Sequence, residues 1–210
     1  MRGREPMATE KADQRYELGA VVAYPQVSMS RVPVPERSAL GAEDQAVWDR
    51  IAAVRSGVRG PYGVLMHVPK LADRVRAVED FFRFESALPG PDRELVILVV
   101  AREAEARYAW ARHEHRALEE GTRQEVIEAV RANGALDGLT DRERLLIEVT
   151  RTLVRSRRLT DDLYTRASKE LGERQLIELV ALAGHYSLIG LTLGAFDVPQ
   201  PDDLPASYTF

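Results

Sequence analysis

The residues whose types and spacing are best suited to catalysis lie in one stretch, AEARYAWARHEHRALEEG at residues 104–121. If this stretch is helical, His113 shares its face with small or aromatic residues, namely Ala106, Ala109, Trp110 and Ala117. The alanines leave space beside the imidazole, and Trp110 can form a wall of that space. Because an imidazole takes up and releases protons near neutral pH, this pattern predicts a proton-transfer site at His113. The alternative is a histidine buried for packing and hydrogen-bonded once.

Glu94 is the second predicted catalytic residue. It lies near the start of the preceding apolar helix, where it can orient His113 or act as the acid. A glutamate in the first turn of a helix is also favourable without any chemistry, because it interacts with the helix dipole. Both interpretations of Glu94 stay open at this point.

Four further residues are predicted to bind substrate together with Trp110. Tyr108 and Arg112 can reach the cleft or a neighbouring subunit, and Arg112 supplies the fixed cation that a carboxylate requires. His67 lies in the loop sequence GPYGVLMHVPKL, where backbone bends can direct a side chain into a pocket. His185 lies in the apolar final helix, where a hydrogen bond to a carbonyl is the simpler explanation.

The sequence predicts neither a metal site nor a cofactor. His115 is two residues from His113 and therefore about 200° around a helix, so the pair cannot chelate one ion. The phosphate loop, the dinucleotide glycine motif, the G-x-S-x-G elbow and the H-E-x-x-H motif are all missing from the sequence. With no cysteine in the chain, disulfides, zinc–thiolate sites and thiol catalysis are excluded.

The overall composition is that of a soluble globular protein with one domain. The 210 residues are 45% hydrophobic and 30% charged, with a net charge of −4 and no long basic patch. Nucleic acid and anionic membrane are therefore not expected as partners. The stretch Leu176–Phe196 is long enough to span a membrane, but Glu178, His185 and three glycines interrupt it. We predict a buried helix in a cytoplasmic, oligomeric protein.

The elements expected to position these residues are all helices. Residues 1–38 are predicted to be an irregular arm, residues 39–199 a helical domain and residues 200–210 a tail. The segment SGVRGPYGVLMHVPKL is predicted to be a loop or short turn. The first predicted helix begins after Ser38 or Gly41, and the next covers residues 71–84. Residues 93–120 form one helix, or two separated near Ala106, with Asp92 as cap. Further helices are predicted at 122–132, at 140–156 with Thr140 as cap, at 160–171 with Thr160 as cap, and from there to about Phe196.

Several separated motifs together resemble the carboxymuconolactone decarboxylase-like proteins, which include the alkyl hydroperoxidase D relatives. The main one is RELVILVVA at 93–101, followed by Tyr108, Trp110, His113, Ala117 and Gly121 at the family's spacing. Supporting matches are GPYGVLMHVPKLA at 60–72 and RQLIELVALAGHYSLIGLTLGAF at 174–196, and the resemblance runs from about Pro33 to Pro199. It implies an all-α alkyl hydroperoxidase D-like fold and homo-oligomers, often trimers or hexamers, with active sites near subunit contacts.

The chain departs from the redox members of that family at both cysteine positions. Those members carry C-x-x-C, with a histidine four residues after the second cysteine and a glutamate twelve residues before the first. The corresponding residues here are Ala106 and Ala109 for the cysteines, with His113 and Glu94 retained. A thiol peroxidase requires a thiolate nucleophile, so that mechanism is excluded. Some cysteine-free relatives have an acidic residue at the second position, which Ala109 also removes.

Two functional hypotheses follow. The first is a cofactor-free lyase, or a related proton-transfer enzyme, that acts on a small organic acid or lactone through His113. The second is a non-catalytic relative that binds a small molecule or serves as a scaffold. The two alanines favour the second hypothesis, and the retention of Glu94, Tyr108 and His113 favours the first.

Overall fold

The computed structural model describes residues 30–55, 57–201 and 204. A short 3-10 helix, Arg37–Ala39, precedes eight α-helices. All regular elements in the described part of the chain are helical, which confirms the all-α prediction there. The α-helices are α1 (Ala42–Arg55), α2 (Pro61–Leu65), α3 (Pro69–Phe84), α4 (Gly90–Glu103), α5 (Arg107–Glu119), α6 (Gln124–Arg131), α7 (Asp141–Ser156) and α8 (Asp161–Ala195).

Helix α4 is the centre of the fold. Its residues 94–101 are all buried, and the helix packs against α5, α7 and α8. Because neighbours surround it, its sequence is apolar on every side and shows no helical periodicity. The expected break near Ala106 is present: α4 ends at Glu103, and Glu105 has a left-handed backbone with φ 50°. Asp92 is not the cap that we predicted, because Pro89 occupies that position and the Asp92 carboxylate binds Arg142.

The capping predictions for the last two helices are confirmed. Thr140 and Glu143 form a reciprocal capping box at the start of α7. The Thr160 hydroxyl accepts a hydrogen bond from the backbone N–H of Leu163 at the start of α8. Gly172, with φ 72°, interrupts α8 directly after Leu171, where we predicted that one helix ends and the next begins.

The glycine- and proline-rich segment before α3 is more regular than predicted. It contains the five-residue helix α2, with Pro61 in its first turn and Gly60 before it at φ 59°. The prediction of a loop or short turn was therefore wrong for Pro61–Leu65. The physical reason is that proline favours the first turn of a helix and the left-handed glycine directs the chain into it.

Helix α8 combines a buried and an exposed apolar face. It is long and apolar enough to cross a membrane, but 56% of its most apolar window is buried inside the fold, as in the core helix of a soluble protein. Its exposed face carries a stripe of apolar residues, comprising Ile177, Val180, Leu188 and Leu191. Of the three glycines in its apolar half, Gly190 lies close to the turn between α4 and α5, since a Cβ atom there would be 3.0 Å from Cβ of Ala104, and nothing in the described chain lies within 4 Å of such an atom at Gly184 or Gly194.

The two ends of the described chain lie together beside α8. The backbone N–H of Arg31 donates to the Phe196 carbonyl at 2.8 Å, and the Arg31 guanidinium pairs with Asp197 at 2.6 Å. The arm predicted for residues 1–38 falls mainly outside the described residues, as does most of the tail predicted for residues 200–210.

Candidate active site

His113 is the middle member of a buried chain of three hydrogen-bonded side chains. Its Nδ1 lies 2.7 Å from Oε2 of Glu94, and its Nε2 lies 3.1 Å from the hydroxyl of Tyr186. The Tyr186 ring meets the imidazole edge to face, with centroids 5.0 Å apart. All three residues are less than 10% exposed. The imidazole is therefore fixed at both nitrogens.

Each member of this chain comes from a different helix. Glu94 lies in the first half of α4, His113 on the inner face of α5 and Tyr186 on the inner face of α8. Both α5 and α8 pack against α4, so the core that stabilises the fold also determines the distances in the site.

The charges around Glu94 determine the direction of the hydrogen bonds. Burial raises the pKa of Glu94, but the adjacent His113, its hydrogen bond, Arg93 and Arg116 outweigh that effect, so the pKa is lowered. An ionised carboxylate can only accept a hydrogen bond, so Nδ1 of His113 carries a proton and donates a hydrogen bond to Glu94. In the neutral ring, Nε2 has no proton and therefore accepts a hydrogen bond from the Tyr186 hydroxyl.

Tyr186 keeps its proton under all ordinary conditions. Burial raises its pKa well above the usual value, and the negative charges of Glu79 and Glu94 raise it further. The hydroxyl is therefore a hydrogen-bond donor, either to His113 or to a molecule that displaces the imidazole as its partner.

A small cavity, which we call the inner cavity, lies against His113 and Tyr186. Its volume is about 90 Å³, and Ala109 and Ile189 supply apolar surface to it. The other prominent feature is positive charge, because four arginines line it: Arg55, Arg59, Arg112 and Arg116. A cavity of this size fits a small polar group beside the imidazole.

A larger cavity adjoins the first, and we call it the outer cavity. It has a volume of about 750 Å³ and is lined by residues 30–34, by the start of α2 and by residues 198–201. Arg59, Tyr108 and Arg112 line both cavities and so mark their boundary.

A second polar cluster, formed by Arg55, Tyr62 and Glu79, also lines the inner cavity. The Tyr62 hydroxyl donates to Oε2 of Glu79 at 2.7 Å, and Arg55 lies 3.4 Å from Oε1 of the same carboxylate. Burial raises the pKa of Glu79, but Arg55 and the Tyr62 hydrogen bond outweigh it, so the pKa is lowered. Burial and the charge of Glu79 raise the pKa of Tyr62 above its usual value.

The predicted site residues divide into two groups. His113, Tyr108 and Arg112 line the inner cavity, and Glu94 contacts His113 from behind. The remaining three line neither of the two cavities: Trp110, His67 and His185. The catalytic and binding roles of all seven residues stay predictions.

Each residue of the second group has another environment. Trp110 is fully buried and its indole N–H donates to Glu114, so it packs in the core and is not a cavity wall. His67 is exposed, with Nε2 2.8 Å from the Pro33 carbonyl. His185 lies behind Tyr186, with ring centroids 5.3 Å apart, and its Nε2 has no hydrogen-bond partner among the described residues.

Sequence reasoning missed Tyr186, Arg55 and Arg116. Tyr186 follows His185 in a helix that is apolar on most sides, so no periodicity indicated which of the two faces His113. Arg116 is three residues after His113 and therefore on the same side of α5, which was a usable signal. In the described part of the chain, no group of three or more His, Asp or Glu residues is arranged to hold a metal ion.

Comparisons with known proteins agree with this architecture. Residues 69–152 match the model of the carboxymuconolactone decarboxylase family. No protein of curated function matches the chain.

Three solved structures share the fold at low sequence identity. The first is an alkylhydroperoxidase AhpD core, an uncharacterized peroxidase-related protein from Ralstonia eutropha JMP134 (TM-score 0.71, 16% identity, 86% of this chain and 95% of that chain). The second is an uncharacterized peroxidase-related protein from Silicibacter sp. TM1040 (TM-score 0.67, 14% identity, 89% and 97%). The third is the debrominase Bmp8, with a cysteine replaced by alanine, in complex with 2,3,4-tribromopyrrole (TM-score 0.64, 14% identity, 81% and 90%).

The matched segment 69–152 includes α4 and α5, and with them Glu94 and His113. The structural matches cover 86% and 89% of the chain, so they include at least part of the 35-residue helix α8. Part of the chain, residues 69–152, thus matches the carboxymuconolactone decarboxylase family, and the chain as a whole has the AhpD-like fold and no cysteine.

Proposed function

We propose that this protein is a cofactor-free enzyme that moves a proton on a small organic acid or lactone, as in decarboxylation, with His113 as the proton carrier. The observation that carries this proposal is the chain Glu94–His113–Tyr186 at the wall of a cavity lined by arginines. A thiol peroxidase reaction is not available to a chain without cysteine.

The decarboxylation step has simple requirements. The bond between carbon and carboxylate breaks, CO2 leaves, and the electron pair moves into a conjugated carbonyl to give an enolate. The carbon then takes one proton, so the reaction consumes one proton overall. The enolate oxygen carries the developing negative charge, and fixed donors and cations around it lower the barrier.

The side chains fit these requirements as follows. The imidazolium form of His113 donates from Nε2 to the carbon, and Glu94 stabilises the positive ring through its hydrogen bond at Nδ1. The Tyr186 hydroxyl turns from Nε2 to the enolate oxygen and donates a hydrogen bond there. His113 regains its proton from water, which completes the cycle. Run in reverse, the same groups remove a proton next to a carbonyl.

The function can be tested without knowing the natural substrate. A panel of keto acids and carboxylated lactones is incubated with the protein in deuterium oxide, and NMR detects both release of CO2 and exchange of hydrogen next to the carbonyl. On a compound that reacts, His113→Gln should lower the rate by about a hundred- to ten-thousand-fold. His115→Gln is the matched control, because His115 is exposed and contacts Glu119 on the outer face of α5.

Two outcomes contradict the proposal. Undiminished turnover by His113→Gln would remove His113 as the proton carrier. A panel that binds but neither exchanges hydrogen nor loses CO2 would favour the non-catalytic binding protein, which the alanines at positions 106 and 109 also suggest.

A further inference from the structure

The inner and outer cavities differ in chemistry although they adjoin. The outer cavity has mainly apolar lining, including Val32, Val34, Val64 and Val198. Its volume of about 750 Å³ lies within the range of about 300–1,000 Å³ that is usual for ligand pockets, and the inner cavity is well below that range. A ligand that reaches His113 and fills both spaces must therefore have a small head and a larger apolar body.

The charges of the inner cavity indicate an anionic head. The Arg116 side chain lines the cavity and lies near enough to Glu94 to lower its pKa, but it makes no hydrogen bond or ion pair with the described residues. Arg55 is 7% exposed, and its Nη1 has no hydrogen-bond partner among the described residues. Both neighbouring carboxylates already have partners, since Glu79 binds Tyr62 and Arg55, and Glu94 binds His113.

Four arginines and one carboxylate, that of Glu79, line the inner cavity, so its lining carries an excess of positive charge. Burial lowers the pKa of Arg83, and the nearby charge of Arg116 lowers it further, so the guanidinium groups repel one another. An anion bound by Arg116 in the inner cavity would reduce this repulsion, in a partly buried setting where charge-assisted hydrogen bonds are strong.

Tyr108 forms the boundary between the two spaces. Its ring lies directly on Gly60, because a Cβ atom at Gly60 would be 2.4 Å from Cζ of Tyr108. The ring is partly buried and lines both cavities, so a ligand that occupies both must pass along it.

We propose that the two cavities form one binding site for an amphipathic carboxylate, with the carboxylate held by Arg116 beside His113 and an apolar body lying past Tyr108 in the outer cavity. This proposal rests on the proposed function for the position of the reacting group. It narrows the substrate from any small organic acid to acids that carry an extended apolar portion, and it assigns Arg116 as a specificity-determining residue.

Binding of unreactive carboxylates tests the site independently of catalysis. Calorimetric titration of the full chain with butanoate, hexanoate, octanoate and decanoate is compared with titration of the primary alcohols of equal length. We expect carboxylate affinity to rise by up to about fourfold for each added methylene group, as transfer of apolar surface predicts. Each alcohol should bind at least about tenfold more weakly than its carboxylate, because a hydrogen-bonded charge is lost.

Two variants separate the head from the body of the site. Arg116→Gln should weaken carboxylate binding by about tenfold or more and leave alcohol binding nearly unchanged. Val34→Trp places a larger side chain in the outer cavity and should remove most of the increase in carboxylate affinity with the number of methylene groups. Arg74→Gln is the matched control, because Arg74 is exposed on α3 and lines neither cavity.

The proposal is overturned if carboxylates and alcohols bind equally, if affinity is independent of chain length, or if Arg116→Gln binds carboxylates like the wild type. Circular dichroism of each variant verifies that the helical fold is intact, and Arg116→Lys repeats the test with the charge retained. If binding depends on the carboxylate, the alkyl length and Arg116 as expected, but no acid of this class reacts, the binding site is supported and the proposed catalytic function is contradicted.

Discussion

Replacing Glu94 by glutamine tests the hydrogen-bond chain at the point where its direction is determined. In the wild type the Glu94 carboxylate lies 2.7 Å from Nδ1 of His113 and can only accept a hydrogen bond from it. Glutamine has the same size, but its amide can either accept from Nδ1 or donate to it. We expect the fixed Nδ1–H tautomer of His113 to give way to a mixture, in which Tyr186 accepts from Nε2–H in part of the molecules.

The size of the effect on stability follows from burial and charge. Both partners are less than 10% exposed, so the bond is a buried, charge-assisted one, worth about 1.5–3 kcal/mol. Glutamine preserves the packing and a neutral hydrogen bond, so we expect Glu94→Gln to lower the unfolding free energy by about 1–3 kcal/mol near neutral pH.

The pH dependence of this loss has a definite sign. The pKa of Glu94 is lowered by folding from its usual 4.5, so its stabilising contribution is present above that value. It is lost as the pH falls through the folded pKa. The difference between wild type and Glu94→Gln should therefore be largest near neutral pH and shrink below about pH 4.5, as measured by urea unfolding at several pH values.

The tautomer itself is measured by nitrogen NMR on protein with isotope-labelled histidine. The chain has only four histidines, so His113 can be assigned by its absence from the spectrum of His113→Gln. Glu119→Gln is the control, since Glu119 contacts the exposed His115 and should leave His113 unchanged. Detection of an Nε2–H tautomer at His113 in the wild type, with the ring neutral, would refute the reasoning.

Three further predictions concern the rest of the molecule. Burial lowers the pKa of His185 below its usual 6.5, so the unfolding free energy should decrease as the pH falls below 6.5. The decrease should be at most about 1.4 kcal/mol per pH unit, and His185→Phe should remove it in urea unfolding. Leu191 is 74% exposed in the apolar stripe of α8, and we expect it to lie in a subunit contact. Leu191→Arg should therefore reduce the mass measured by light scattering, whereas Leu118→Arg on α5 should not. A wild-type protein that is monomeric would contradict this prediction. Thr140→Ala removes the capping box of α7 and should cost about 1 kcal/mol in thermal or urea unfolding, and an unchanged stability would show that the cap contributes nothing.

The helices were predictable because local signals determine them. Thr140 and Thr160 cap helices in the structure as their sequence contexts indicated, and Gly172 separates two helical segments where the pattern changed. Pro61–Leu65 was missed because glycine and proline indicate loops more often than a single helical turn.

Site residues were predictable only where they lie on the same helix or match the spacing of the family's motif. His113 and Arg112 were found on α5, but the separation of Glu94 from His113 has no meaning without the fold or the resemblance. Tyr186 could not be assigned, since 73 residues separate it from His113 and α8 is apolar on most sides. Trp110 was misplaced because a shared helical side does not distinguish the cavity from the core beneath it.

We expect the buried hydrogen-bonded residues Glu94, His113 and Tyr186 to serve function rather than stability. A buried ionised carboxylate such as Glu94 costs desolvation free energy that an apolar side chain of equal volume avoids. Replacing buried ionic groups by well-packed apolar side chains is often neutral or stabilising by about 1–4 kcal/mol. We therefore expect the triple variant Glu94→Leu, His113→Phe, Tyr186→Phe to be at least as stable as the wild type in urea unfolding. Glu94→Leu alone should lose about 1–3 kcal/mol, because it leaves Nδ1–H of His113 buried without its acceptor. A triple variant that loses the full sum of the single changes would mean that the chain is a structural element after all.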